Sequence, residues 1–547
     1  MKKALALFCA FVVLFAGVSF VFPQKASAAY AWDGSVASSF DGGSGTSKDP
    51  YLISDGAQLA YLAQLVNSNT SNYSSKYYVL TNDIDLNNVP WVPIGSGSSS
   101  SGNAFLGVFN GKGYTVTNLS MGDESLPSAS IGAGLFGVVG SSGVIKNVSV
   151  RSATVFQGNM GSGTACGVIA AVNYGVIDDC QVVNVYLSVR TGSCGSFCGE
   201  NYGTIKNSDS TIARLDSLED AILGGFVGVN HSVIRNCYSR SITDVNSYAS
   251  CFGGFAGANS GSIVDSYSYE TSADERRDCV AGGFVGANSG EIANSYVQRA
   301  SIIANGILGG FAGENKFTGG SGSIVNCYVG VGCALTETSG SGKCGYFLGS
   351  DSSYGQVACY YNSSIMANAM PSMAAVPLTG EEMMSPSFVS ALNSSLKSDW
   401  STWVVSPRMN EGYPAFSGST ADVYQSGGDH KVSVSMSEGG AIVPNGTLSI
   451  EDGDSVTFTI LPYEGYVIEN IIVDGEQLGS LGSYTLSDVK AEHVVRATFR
   501  KIGDNFYNIP ADEGDIPKTG YPVNLYSLSL LISGAALMLK AAINKKK

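Results

Sequence analysis

GGFVGVNHSVIRNCYS (224–239), GGFAGANSGSIVDSYS (253–268) and GGFVGANSGEIANSYV (282–297) are one sentence written three times. Weaker copies flank them: GLFGVVGSSGVIKNVSV (134–150), GVIAAVNYGVIDDCQV (167–182), GSFCGENYGTIKNSDS (195–210), GGFAGENKFTGGSGSIVNCYV (309–329) and a degraded CGYFLGS (344–350). Single positions recur down the array. An isoleucine row holds Ile145, Ile177, Ile205, Ile234, Ile263, Ile292 and Ile324, with gaps of 32, 28, 29, 29, 29 and 32 residues. Two residues later stands Asn147, Asp179, Asn207, Asn236, Asp265, Asn294 or Asn326. A second asparagine row runs through Asn173, Asn201, Asn230, Asn259, Asn288 and Asn315, and an aromatic row through Phe197, Phe226, Phe255, Phe284 and Phe311.

A period near 29 residues is too short for a propeller blade of ~40–45 residues. It suits one coil of a parallel β-solenoid, which cannot bury its own apolar face but does so when coils stack at ~4.8 Å. Isoleucine fills such a core with a stiff, strand-favouring side chain. Asparagine at a bend serves the turn backbone and can bond the amides above and below it. The expected fold class is therefore all-β: a parallel β-solenoid (β-helix) with a mixed N-terminal cap and a small β-rich C-terminal domain.

The repeats resemble the GLUG motif family, found in bacterial surface proteins and in some immunoglobulin A1 peptidases; the resemblance covers about residues 130–365. The stretch before it, with GGSGTSKDPYLIS (42–54), a helical pattern at Leu59, Leu62, Leu65 and Val66, and LTNDIDLNN (80–88), looks like the cap preceding such arrays. VPLTGEEMM (376–384) through NEGYPAF (410–416) resembles a closing segment. Segments 439–475 and 484–499 alternate like strands and look similar to the divergent bacterial repeat domain, which implies a stalk module.

Both ends of the chain read as addresses. Lys2 and Lys3 precede an apolar run and then Ala26-Ser27-Ala28, the order of a secretory signal cut after Ala28. Ile516-Pro517-Lys518-Thr519-Gly520, an apolar stretch and a lysine-rich tail resemble the LPXTG sorting signal of sortase substrates, with Ile516 in place of leucine. That resemblance implies sortase as a partner, Thr519 as the residue whose carbonyl is attacked, and covalent attachment to the peptidoglycan of a Gram-positive cell wall. The expected organisation is a signal peptide 1–28, N-terminal cap 29–130, solenoid 131–367, C-terminal cap 368–420, stalk domain 428–502, linker 503–515 and sorting signal 516–547. Processing at both ends leaves 23 basic against 45 acidic residues, a charge that repels phosphate backbones and excludes nucleic acid as a partner.

Motifs that carry chemistry are nearly absent from the sequence. His231, His430 and His493 are isolated from one another, so there is no H-E-x-x-H zinc site, and no G-x-S-x-G elbow occurs. Asp83, Asp85 and Asn87 copy the start of a calcium loop, but Asn88 and Ile94 stand where that loop needs glycine and glutamate. Asp178-Asp179 is an adjacent acidic pair of the array, and Asp179 belongs to a structural row. No cofactor or metal is expected. Cys166, Cys194, Cys251, Cys279 and Cys344 precede the Gly-Phe segment and could pair between coils, with the connectivity open.

Two functions compete: a non-catalytic adhesin or structural display protein binding a glycan or protein of a host or neighbouring cell, and a wall-bound carbohydrate-active enzyme. Strand alternation singles out one stripe for the first. Val148, Cys180, Ser208, Cys237, Ser266, Ser295 and Cys327 point inward after the bend, as do the residues two further on. The residue between them faces out, and in four coils it is Tyr238, Tyr267, Tyr296 or Tyr328, a candidate ligand-binding stripe.

Overall fold

A computed structural model describes residues 31–501 apart from 71–72, 102, 123–131, 158–164, 317–321, 341, 352–355, 365–374, 406–409, 418–429, 438, 444–445, 451–455, 463–465 and 488. The signal with Ala28, the linker and the sorting segment with Ile516, Pro517, Thr519 and Gly520 lie outside the described residues. Contacts divide the chain into two units, of which the larger contains the solenoid.

Each repeat makes one coil of three strand segments, and each segment pairs in parallel with its copy in the next coil. In the coil that begins at Ser262, a short strand Ser262–Val264 ends at Asp265, and a long strand Tyr267–Gly282 follows. A turn around Phe284 then leads to Val285–Asn288. Stacked copies give an 11-stranded, a 19-stranded and an 8-stranded sheet. The isoleucine row is in perfect register from Ile145 to Ile324, and every member is fully buried.

The bend after the isoleucine strand explains the mixed Asn/Asp row. Asn147, Asp179, Asn207, Asn236, Asp265, Asn294 and Asn326 all take a left-handed backbone, with φ between 48° and 56°. Asparagine and aspartate tolerate that conformation better than other residues with a Cβ. A second left-handed corner sits inside the long strand at Ser152, Asn184, Ile212, Ser241, Glu270 and Arg299. Its residue types range from serine and asparagine to isoleucine and arginine, so no single residue type marks it in the sequence.

The other asparagine row is a hydrogen-bonded ladder. The Nδ2 of Asn173 donates to Oδ1 of Asn201 at 2.8 Å, Asn201 to Asn230 at 2.8 Å, Asn230 to Asn259 at 2.8 Å, Asn259 to Asn288 at 2.9 Å and Asn288 to Asn315 at 2.8 Å. Each Oδ1 from Asn173 to Asn288 also accepts the backbone N–H two residues on, as Asn173 does from Gly175 at 3.0 Å. Phe197, Phe226, Phe255, Phe284, Phe311 and Phe347 stack alongside, with centroids 4.5 to 5.0 Å apart. Glycine precedes the ring where coils approach most closely: a Cβ on Gly254 would lie 2.2 Å from the Gly283 carbonyl oxygen.

The N-terminal stretch is more than a lid. Tyr51–Ile53, Tyr77–Leu80 and Val108–Asn110 extend the 11-stranded sheet, and the isoleucine column continues upstream as Phe109, Tyr78 and Tyr51. The expected helix is Gly56–Asn67, capped by Asp55, whose carboxylate accepts from the Gln58 N–H. Leu59, Leu62, Leu65 and Val66 are its buried face. Asp83 and Asp85 accept backbone N–H groups from Thr115 and Asn87 at 2.8 and 2.7 Å, the work of turn residues rather than calcium ligands. The smaller unit is a separate β domain. His430–Met436, His493–Lys501 and Tyr466–Val473 belong to a five-stranded sheet; Gly440–Val443, Val456–Pro462 and Ser483–Leu486 form a three-stranded one. Val432, Ile471, Val495 and Phe458 are buried in it.

The ladder predicts its own sensitivity. Asn230→Ala removes the acceptor of Asn201 and of the Ser232 N–H together with the donor to Asn259. Leaving such groups buried and unpaired costs on the order of 3 kcal/mol. Thermal unfolding of the variant is expected several degrees lower, and an unchanged Tm would show that the ladder contributes nothing.

Candidate functional site

The tyrosine stripe forms as the register requires, but it does not face solvent. Tyr238, Tyr267, Tyr296 and Tyr328 stack with centroids 4.9, 4.7 and 5.2 Å apart and ring planes within 9° of parallel. The inward set on either side is buried as expected. Tyr267 is nevertheless only 3% exposed, and Tyr296 and Tyr328 are at 0%; Tyr238 alone is half-exposed. The expectation of an open ligand-binding stripe is therefore corrected: the outward face is covered by the chain's own closing segment.

That segment turns back along the outside of the coils. Val376–Leu378 pairs with Tyr360–Asn362, two short helices follow (Gly380–Met383 and Pro386–Ser394), and Trp403–Val404 pairs antiparallel with Ala415–Phe416. Trp403 lies 5.9 and 5.6 Å from Tyr296 and Tyr328, and Phe416 lies 5.6 Å from Tyr296. Polar groups lock the same contact. Trp403 Nε1 donates to Asn294 Oδ1 at 2.6 Å, Asn410 Nδ2 donates to the Tyr328 hydroxyl at 2.7 Å, and Tyr328 donates to the Pro414 carbonyl. Arg235 and Arg299 pair with Asp399 and Glu411 at its edges. Upstream of the clasp the same column reads Ser149, Gln181 and Asp209, all half-exposed. Tyrosine stands where the clasp lies.

A second aromatic column does reach solvent. Tyr174, Tyr202 and His231 each follow a ladder asparagine, so they leave the bend on the outside. Their rings stack with centroids 5.0 and 4.4 Å apart, and Tyr202 is 40% exposed. The Tyr202 hydroxyl donates to Glu200 Oε2 and Ser193 Oγ to Glu200 Oε1, both at 3.0 Å. Burial and the Glu200 carboxylate push the Tyr202 phenol up to about 12. Desolvation lowers the His231 imidazole, against the pull of Glu200, which favours the uncharged ring.

The stack ends at Tyr174. Register pairs Asn173 with Val139, so Gly140 stands opposite Tyr174 and brings no ring. A groove of about 460 Å³ opens there, lined by Val92, Ser96, Val172, Tyr174 and Glu200 among others. Asn67 braces its rim, donating to the Pro93 carbonyl at 2.9 Å and accepting from the Gly95 N–H at 2.8 Å. A second pocket of about 550 Å³, lined by Trp32, Ala63 and Trp91, shares Asn67 and Val92 with it. The sequence did hold a signal for this site, namely two tyrosines and a histidine at successive copies of one position.

No family model matches the chain. It is 33% identical over 153 residues to a Gly-rich membrane protein of Evansella cellulosilytica, covering 26% of this chain and 15% of that protein. It is 33% identical over 141 residues to halomucin of Haloquadratum walsbyi, covering 25% of this chain and 1% of that protein. The chain thus spans a small part of the length of the curated relatives it matches. Among solved structures, a Bacteroides ovatus protein described as an immunoglobulin A1 protease aligns over 70% of this chain and 96% of its own, with 20% identity and a TM-score of 0.34.

Other chemistry-bearing groups are spent on structure. Asp179 is a left-handed bend residue, and Asp178 pairs with Lys206 at 3.2 Å. All eleven cysteines of the described residues are free thiols, ten of them buried. Of the five considered for pairing, only Cys166 and Cys194 meet in register; Cys251, Cys279 and Cys344 face Val280, Gly306 and Leu308. Burial pushes the Cys180 and Cys251 thiols up to about 12, which keeps them protonated and unreactive. Among the described residues no group of three or more His, Cys, Asp and Glu is placed to hold a metal.

One pair of carboxyls is sealed inside the solenoid. Asp244 is 0% and Glu275 3% exposed, and Asp244 occupies the column that holds Leu215 one coil earlier and Ala273 one coil later. The Ala249 N–H donates to Glu275 Oε2 at 2.9 Å. Desolvation, then the hydrogen bond and charge of Glu275, hold the Asp244 carboxyl well above its usual range. Burial beside a second carboxyl thus favours the protonated form of Asp244. A polysaccharide cannot reach this pair.

Two outcomes follow. Trp403→Ala empties the clasp interface at a cost of ~3–5 kcal/mol, and limited proteolysis should then cut within 375–416, whereas Tyr238→Ser should leave the segment resistant. Equal resistance in both would show that the ring is not what holds the clasp. For Asp244 the folded-state pKa lies above the unfolded one, so the folded chain holds the extra proton. Stability is then fully present below the ordinary carboxyl range and falls as pH rises toward the raised value. Asp244→Asn should flatten that slope and raise Tm most at neutral pH; an unaltered pH profile would place the titration elsewhere.

Proposed function

We propose that the chain is an exported surface protein of a Gram-positive cell, in which the solenoid is a stiff, non-catalytic body for adhesion or display. The observation that carries this reading is the coil-to-coil stacking of the isoleucine, amide and phenylalanine columns, all buried. A stack held by such continuous columns suits presentation rather than a reaction cycle. The GLUG-like repeats and the sorting-like Ile516, Pro517, Thr519 and Gly520 support the same reading. So do the names of the two relatives, a membrane protein and a halomucin, which point to a surface or secreted β-helix protein in or beyond the cell envelope.

On this reading sortase joins the Thr519 carbonyl to a peptidoglycan amine, and the smaller β domain is a stalk module. The solenoid then meets a glycan or protein of a host or neighbouring cell. The rival, a wall-bound carbohydrate-active enzyme, gains no support from the carboxyl pairs, which are structural or sealed.

Mass spectrometry of cell-wall digests should find a C-terminal peptide ending at Thr519 and bonded to wall peptide. Wall-fraction protein that retains residues 520–547 would overturn the anchor. A depolymerisation assay on wall polysaccharides and host glycans, run on the same protein, is expected to release no oligosaccharide; release would favour the enzyme.

A further inference from the structure

We infer that the groove ending on Tyr174 is the glycan-binding site, and that it takes a neutral sugar whose flat C–H face lies on the Tyr174 ring. The inference rests on the adhesion reading above and gives it a place and a ligand class. Four observations carry it.

The first is the ring. Tyr202 occupies one side of Tyr174, and the next coil position on the other side is Gly140, so the stack stops beside the groove that Tyr174 lines. The negative face of an aromatic ring attracts weakly positive C–H groups, and one face of a pyranose is a row of them. The second is size. About 460 Å³ falls within the ~300–1,000 Å³ typical of small-molecule sites. The adjoining pocket of about 550 Å³, with Trp32 and Trp91 in its wall, extends it toward a second residue of an oligosaccharide.

The third is charge. Among the described residues no lysine or arginine lines either pocket, and Glu200 is the one carboxylate. A carboxylate accepts hydroxyl protons and repels uronic, sialic or sulfated sugars, so the ligand is neutral. The fourth is preorganisation. Ser193 and Tyr202 hold Glu200 from two sides, and the Asn67 side chain ties down the Pro93–Gly95 rim. A site whose polar group is already oriented loses little entropy on binding. A quaternary ammonium ligand would also accept a carboxylate and a tyrosine, but it prefers a cage of several ring faces, and here Tyr174 offers one face, Tyr202 covering the other.

The test uses the full-length protein in saturation-transfer NMR and titration calorimetry. The probes are cellotetraose, mannotetraose, chitotetraose and N-acetyllactosamine, with sialyllactose and phosphocholine as controls. At least one neutral probe should bind and the two controls should not. Tyr174→Ala and Glu200→Gln should each weaken that binding at least tenfold, while Tyr238→Ser should leave it within twofold. Tyr174 is half-exposed at a bend and Glu200→Gln preserves shape, so two independent variants guard against simple unfolding. If a neutral probe binds equally well to wild type and both variants, the groove assignment fails while the adhesion reading stands. If only phosphocholine or sialyllactose binds, the ligand class is wrong. If no glycan binds at all, the groove assignment fails, and cell attachment that persists would then locate adhesion on another surface.

Discussion

A buried primary amide has two donor hydrogens and an acceptor oxygen to satisfy, and in this protein the chief partner of each ladder asparagine is another asparagine one coil away. The row from Asn173 to Asn315 therefore works only if every coil stops at the same place. A slip by one residue would leave each amide unpaired inside the core. The cost of an orphaned buried amide is what forbids alternative registers, which parallel sheets built from near-identical strands otherwise permit. Apolar columns add depth but not this discrimination, since isoleucine packs acceptably on valine or phenylalanine.

Once that register is set, the rest of the larger unit follows. The residue after each ladder asparagine is thrown outward, which creates the Tyr174–Tyr202–His231 rail. The residue two places after the isoleucine enters a left-handed bend, which aligns the long strands and with them the tyrosine column. The same regularity makes any departure from it conspicuous. Asp244 breaks an otherwise apolar column, and burial raises the pKa of both Asp244 and Glu275, which favours their uncharged forms. Polar substitutions elsewhere in the columns include small serines bonded to backbone carbonyls, such as Ser266 to Val264 at 2.9 Å.

The closing segment illustrates how a solenoid treats its own surface. Outward positions in a stack repeat, so a clasp that fits one coil fits its neighbours, and the docking face is a ladder of identical rings. Tyrosine suits this use because its ring is covered while its hydroxyl still finds a partner, as Tyr328 does with Pro414 and Tyr269 with Glu411. The charged pairs at the rim, Arg235 with Asp399 and Arg299 with Glu411, fix where along the ladder the clasp sits, which the rings alone would not.

The sequence alone determined the coil, its length, the three core columns, the alternation of inward and outward residues and the short helical pattern at Leu59, Leu62, Leu65 and Val66. All of these are set by local periodicity, and periodicity is visible in a string of letters. It also marked the tyrosine column, but not what covers it. The partner, Trp403 and Phe416, arrives from more than a hundred residues beyond Tyr267, and nothing local links them. The second left-handed corner, at residues as unlike as Ile212 and Arg299, was likewise invisible, because stacking pressure imposes that conformation irrespective of side chain. Tertiary structure alone decided which aromatic column is open. Both lie on outward positions of the coil, and the path of the closing segment separates the buried stripe from the exposed rail beside the groove.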